Sequence, residues 1–188
     1  DLKVNHALSS DTFDNYIEAL DPGRYYFLAA DIAEFEGYRY ELDNALRRGD
    51  LLPAYHMFNR LQKRLLERTK YMQRAIDSGL ERLDFTTDEV MRIKREKVAW
   101  SIDQATQDDL WNRRLKSQVL SMKLNDKALD EIAETLAKRY RNQQKVALRN
   151  RSEDAFQTFI NAFAATFDPH TQYFSPRTST NFNINMSL

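Results

Sequence analysis

Phe13, Tyr16, Ile17 and Leu20 recur at i, i+3, i+4 and i+7, with Ser9 and Ser10 before them and Asp21-Pro22-Gly23 behind. That stripe with a polar start and a turn at its end predicts a short amphipathic helix. After the aromatic cluster Tyr25-Tyr26-Phe27, the pattern Ile32, Phe35, Leu42 and Leu46 predicts a second helix over about Ala30 to Arg48, closed by Gly49. Arg47 and Arg48 suit its negative end. Pro53 fits the first turn of a third and longest helix, about Leu52 to Ser78, with Tyr55, Phe58, Leu65, Met72 and Ile76 as its apolar seam and Gly79 beyond it.

Residues 80–102 carry no clean period. Thr86 and Glu89 have capping-box spacing, but Arg92 to Trp100 mixes β-branched and charged residues, which predicts a short helix followed by an extended segment. Asp103 then opens a helix on Trp111, Leu115, Val119 and Met122. Asp126 is read as the cap of another on Leu129, Ile132, Leu136, Tyr140 and Ala147, and Ser152 as the cap of a last one on Phe156, Phe159, Ile160, Phe163 and Phe167. From Phe182 to Leu188 the period changes to two, with Phe182, Ile184, Met186 and Leu188 alternating with Asn183, Asn185 and Ser187, as in a half-buried strand.

The expectation is an all-α, irregular domain of about six helices over residues 1–167, then a connector over 168–188 that ends in the first β-strand of a further domain, since no other strand is predicted for it to join. No period of 20–50 residues repeats, and no Gly/Ser-rich linker divides the first 167 residues, so a solenoid is not expected.

Composition supports helix over sheet: 188 residues, 30% charged, with four glycines and four prolines, are poor material for the many tight turns of an all-β fold. The 42% hydrophobic content is enough to bury a core. The absence of cysteine removes disulfides, thiolate nucleophiles and Cys-ligated zinc. No apolar run approaches the roughly 20 residues that span a bilayer, so no transmembrane segment is expected. The first residues lack an initiator Met and any signal-type apolar stretch, which reads as a trimmed start. Net charge is zero but uneven. Residues 1–50 hold five basic against eleven acidic residues, and residues 51–150 hold twenty-one against fourteen.

The search for chemistry yields no catalytic, cofactor-binding or metal residue. There is no Gly-x-Ser-x-Gly elbow and no Ser-x-x-Lys pair; Ser117 and Ser121 lie near Lys116 and Lys123 without anything to activate a hydroxyl. His6, His56 and His170 stand far apart without ligand spacing, and no two glycines are placed to cradle a phosphate. Asp168 beside His170 reads as a helix-terminating turn. The basic runs Arg60 to Arg74 and Lys138 to Arg151 could face nucleic acid, but net charge is zero and no binding motif accompanies them, so no nucleic-acid partner is expected.

The run Ser152-Glu153-Asp154-Ala155-Phe156, then Phe163-Ala164, then Asp168-Pro169-His170-Thr171-Gln172-Tyr173-Phe174-Ser175-Pro176-Arg177 resembles the lead-in to the protease region of tail-specific, or carboxy-terminal processing, proteases. Asn185-Met186-Ser187-Leu188 resembles the run that stands just before the PDZ domain in the large periplasmic, Prc-type members. Upstream, Asp14 to Leu20, Leu28-Ala29-Ala30-Asp31, Tyr55 to Phe58, Gln62-Lys63-Arg64 and Asp84-Phe85-Thr86 resemble the N-terminal region of the same members more loosely. The resemblance implies a periplasmic serine endopeptidase with a Ser-Lys dyad and a PDZ domain that binds apolar C-terminal tails, acting on envelope proteins of Gram-negative bacteria. None of those functional residues maps within 1–188. The chain would then be a non-catalytic scaffold or docking domain, with protein substrates reached through the other domains and with a lipoprotein adaptor or self-association as candidate partners. A free-standing helical interaction module, with the Leu52–Ser78 seam as its groove, is the alternative.

Overall fold

The computed structural model describes residues 6–149, 152–168 and 170–180. Its helices are α1 (His6–Leu20), α2 (Ala29–Phe35), α3 (Leu42–Arg48), α4 (Leu52–Asp77), α5 (Gln104–Lys123), α6 (Leu129–Arg149) and α7 (Ser152–Ala164), with 3-10 turns at Glu36–Tyr38 and Leu80–Arg82 and a helical turn over 176–180. The chain is all-α, as expected. Among the described residues the extended pairing is a single parallel bridge between Leu28 and Ser101, closed by the Ala29 N–H on the Ser101 carbonyl at 2.9 Å. The strand read over 182–188 lies outside the described residues.

The residues fall into two compact units: 1–22, 33–59 and 150–188 in one, and 23–32 with 60–149 in the other. In the first, α1 lies against α7 and α3. Phe13, Tyr16, Ile17 and Leu20 are all buried, so the predicted stripe of α1 is its packed face. The Tyr16 ring meets Phe159 edge-on at 5.2 Å, and its hydroxyl donates to the Ala54 carbonyl at 3.0 Å. Burial pushes the Tyr16 phenol far above its ordinary range, so it stays a neutral donor.

The single helix expected over 30–48 is instead α2, a 3-10 turn and α3. Between Phe35 and Leu42 the sequence offers no aliphatic seam residue, and Gly37 with Tyr38 and Tyr40 are poor helix formers. Arg39 fixes the break: its guanidinium takes both carboxylate oxygens of Glu36 at 2.6 and 2.9 Å, reaches Asp14 at 2.9 Å, and covers the Phe13 ring at 4.4 Å. Glu36 and Asp14 hold Arg39 above its ordinary pKa, and the Arg39 guanidinium holds Glu36 below its own.

A break exposes backbone groups that need partners. Ser9 supplies them from α1: its hydroxyl donates to the Arg39 carbonyl at 2.7 Å and accepts the Leu42 N–H at 3.0 Å, while Glu41 gives α3 no side-chain cap. The cap thus comes from 33 residues away. We expect Ser9→Ala to lower stability by about 1–2 kcal/mol, because a buried carbonyl and the first N–H of α3 both lose their partner. A urea titration followed by circular dichroism measures it. Gly49 closes α3 in the left-handed conformation, with its N–H on Leu46 and the Asp50 N–H on Ala45, a Schellman closure that a Cβ would strain.

In the second unit the core is built by Met72 and Ile76 of α4, Trp111, Leu115 and Val119 of α5, and Ile132, Leu136 and Tyr140 of α6. Asp103 caps α5, taking the Thr106 N–H at 2.8 Å. Asp126 does not cap α6. It sits at φ 56°, its N–H donates to the Lys123 carbonyl, and Lys127 after it bonds back to Met122, so it ends α5 rather than starting α6. An Asp tolerates the left-handed region well enough to serve there. Thr86 and Glu89 open no helix either, since Asp84 takes the Thr86 N–H and hydroxyl at 2.8 and 2.7 Å and Thr87 donates to Glu89 at 3.0 Å. With its polar groups spent locally, the stretch from Leu83 to Ser101 stays irregular.

Candidate functional site

Of the apolar stripe predicted for α7, Phe159 is the one phenylalanine fully buried within the helix, beside Ala155 and Ala162. Phe156, Ile160 and Phe163 are half-buried, and the helix stops at Ala164, before Phe167. The small alanines let α1 approach, and the Asn15 amide donates to the Ala162 carbonyl at 3.2 Å.

Another face of α7 carries an unhelical passenger. The Asn161 side chain grips the Tyr173 peptide from both sides, its oxygen accepting the Tyr173 N–H at 2.6 Å and its nitrogen donating to the Tyr173 carbonyl at 3.1 Å. One turn back, Gln157 Oε1 accepts the Ser175 N–H at 2.9 Å. A further turn back, Asp154 accepts from the Arg177 guanidinium, with Glu153 at 3.8 Å. Phe156 closes the contact edge-on against Tyr173 at 5.6 Å.

The spacing explains why this works. Stepping back along α7 from 161 to 157 advances about 6 Å, and two residues of extended chain, from 173 to 175, advance about 6.6 Å. The two spacings match over that step, so Asn161 and Gln157 meet alternate peptides of the segment as a neighbouring strand would, while Arg177, in the helical turn that follows, reaches Asp154 with its side chain. Ser175 is buried here, and its hydroxyl meets that of Thr178 at 3.0 Å.

The turn that leads into the segment is also ordered. Asp168 accepts the His170 N–H at 2.9 Å and the Thr171 hydroxyl at 2.8 Å, and these bonds hold its carboxyl below the usual range. Asp168 thus caps a turn after α7, as the sequence led one to expect, while the His170 side chain is exposed. Asn161 and Gln157 escaped the sequence reading. The signal was present, since an Asn at the centre of an apolar helical stripe has poor helix propensity and needs a reason to be there.

The other residues weighed for chemistry are placed apart. His56 lies between Phe35 and Tyr38, with Nδ1 2.9 Å from the Tyr38 hydroxyl and Nε2 3.2 Å from Glu34. His6 contacts the Tyr40 carbonyl at 3.2 Å. Lys116 donates to Glu89 at 2.9 Å and to Thr87, so its amine is engaged by a carboxylate and is not a base for Ser117. Ser117 instead lines a cavity of about 250 Å³ with Phe85, Met91 and Leu120. Among the described residues no group of three His, Asp or Glu is placed to hold a metal ion.

The segments that clasp each other, 152–164 and 168–177, both lie within the stretch that comparison with known proteins matches. Residues 1–177 match the family described as Tail specific protease N-terminal domain. The chain belongs to that family. A tail-specific protease of Haemophilus influenzae is 36% identical to it over 190 residues, a match that covers 100% of this chain and 27% of the relative. This tail-specific protease N-terminal domain therefore spans about a quarter of the length of the relative it matches. The family match ends at Arg177, the last residue gripped by α7.

Proposed function

We propose that the chain is the non-catalytic scaffold of a tail-specific serine endopeptidase acting in the periplasm on envelope proteins with apolar C-terminal tails. Residues 168–188 form the connector toward a PDZ and protease region that carries the Ser-Lys dyad. The family match over 1–177 supports this reading, and so does the clasp: α7 grips the connector at Tyr173, Ser175 and Arg177, the arrangement a scaffold needs to hold the catalytic region in a fixed direction. A lipoprotein adaptor or a second copy of the protein would engage the remaining helical surface.

The test is cleavage of an unstructured reporter with an apolar C-terminus, by the longer protein and by residues 1–188 in parallel, with circular dichroism to verify that the shorter chain is helical. Cleavage by the longer protein alone is the expected result. Cleavage by residues 1–188 would place a nucleophile within them and overturn the scaffold reading.

The clasp gives a sharper expectation. Asn161→Ala removes both bonds on the Tyr173 peptide, at about 1 kcal/mol each, so hydrogen exchange at the Tyr173 amide should quicken about 10- to 30-fold. Asn161→Asp keeps the acceptor and loses the donor, and should fall between. Exchange at Leu42, whose partner is Ser9, should not move.

A further inference from the structure

Two basic runs looked alike in the sequence, and the structure separates them. On α4, Arg60 and Arg64 converge on the buried carboxylate of Asp31, with Arg64 at 2.8 and 3.0 Å, and Arg68 pairs with Asp108. Those cations hold the fold together. On α6, Lys138, Arg141, Lys145 and Arg149 are all exposed, and none has an ion-pair partner among the described residues.

These four fall at i, i+3, i+7 and i+11, one face of a helix whose opposite face, through Ile132, Leu136, Tyr140 and Ala147, is committed to the core. Beside that cationic stripe stand Val146 and Leu148, 61% and 67% exposed. The acids of α6, Asp130, Glu131 and Glu134, all precede the stripe.

Complementing the helix dipole explains part of this. A base in the last turn is stabilised, but the effect dies within that turn and covers only Arg149. Arg141 with Lys145, and Lys145 with Arg149, are like-charged i, i+4 pairs, each of which weakens the helix. The stripe therefore carries a cost that no ion pair among the described residues offsets.

We propose that this face of α6 binds the surface of an anionic phospholipid bilayer, with Lys138, Arg141, Lys145 and Arg149 on the headgroup phosphates and Leu148 and Val146 entering the interface. The mixture of side chains selects the class of partner. Four cations within three turns are the density that associates peripherally with anionic lipid, and two exposed aliphatic side chains at the same end gain from an apolar boundary layer that a soluble polyanion does not have. No described helix is long and apolar enough to cross the membrane, so the contact is to its surface. The proposal stands independently of the protease reading.

The test uses the full-length protein in co-sedimentation with vesicles of phosphatidylcholine alone or mixed with phosphatidylglycerol. Binding is expected only to the mixed vesicles, and it should weaken as salt rises. The pair Lys145→Glu with Arg149→Glu should lower the partition at least about 25-fold, at about fivefold for each cation lost. Leu148→Ser should lower it severalfold while leaving the salt dependence intact. A thermal melt of each variant shows that the fold is kept. Absence of binding to the mixed vesicles at low salt overturns the proposal, as does binding that the charge reversals leave unchanged. Binding to DNA or polyglutamate as tight as to vesicles, and insensitive to Leu148→Ser, also overturns it and assigns the stripe to a soluble polyanion.

Discussion

Asp31→Ala is expected to destabilise the second unit by about 3 kcal/mol, seen as an earlier urea midpoint for the helical signal. The Asp31 side chain is 1% exposed and holds four groups at once: Arg60, both edges of the Arg64 fork, and the Leu28 N–H at 2.9 Å. Removing it takes from two guanidinium groups the carboxylate they share, and leaves Arg64 with Glu67 at 3.0 Å. Arg60 and Arg64 keep 22% and 17% of their side-chain surface in water, which places the cost at the lower end of what breaking a buried pair costs.

The same carboxylate makes stability pH-dependent. Burial pushes Asp31 up, but hydrogen bonds from Arg64, the Leu28 N–H and Arg60 outweigh it and hold the group below its ordinary value. A depressed folded-state pKa means that the unfolded chain binds the proton first. The contribution is therefore complete above the ordinary carboxylate range, about pH 4, and is lost as pH falls through the lower folded value. In Asp31→Ala that segment of the acid titration should flatten; an unchanged acid limb would show that other carboxylates carry it.

Trp111→Ala should cost about 4 kcal/mol, the largest single effect we expect. Trp111 is fully buried among Tyr25, Tyr26 and Tyr140, with ring centroids 5.5 to 6.4 Å away, and the Arg114 guanidinium lies 4.8 Å over its ring. Its indole N–H donates to the Tyr25 carbonyl at 2.9 Å, and Gln107 donates to the Tyr26 carbonyl at 2.7 Å. The residue thus joins the core of α5 and α6 to the irregular stretch of Tyr25 and Tyr26, and truncation opens a cavity on both sides of that contact. Trp111→Phe should cost less than half as much, since it keeps a ring in the cavity and loses the donor. Equal losses in the two variants would assign the effect to the hydrogen bond rather than to packing. Differential scanning calorimetry of both proteins decides between them.

The seams of α1, α5 and α6 were legible because each is a local periodicity: which face of a helix is apolar depends only on residues three and four apart. The Asp103 cap and the Gly49 closure were legible for the same reason, since a cap acts within one turn. Asp126 was misread because a short polar side chain suits both a helix start and a left-handed helix end. Only the chain path decides between them. The break between α2 and α3 was half legible, in Gly37, Tyr38 and Tyr40, but the hydroxyl that satisfies it was out of reach because it comes from Ser9, in another helix.

The functional reading divides along the same line. The sequence by itself determined the all-α class, the absence of the usual local catalytic devices, and a resemblance at 152–177 to the family to which the chain belongs, since composition, spacing and motif are properties of the chain. Tertiary structure decided which of those residues meet: Asn161, Gln157 and Asp154 reach Tyr173, Ser175 and Arg177 only once the chain has turned at Asp168 and run back along α7. It also decided which arginines are buried against Asp31 and Asp108 and which lysines and arginines of α6 face solvent. Charge is written in the sequence, but its partner is set by geometry, because an ion pair forms between side chains that the fold brings within a few ångströms, however far apart they stand along the chain.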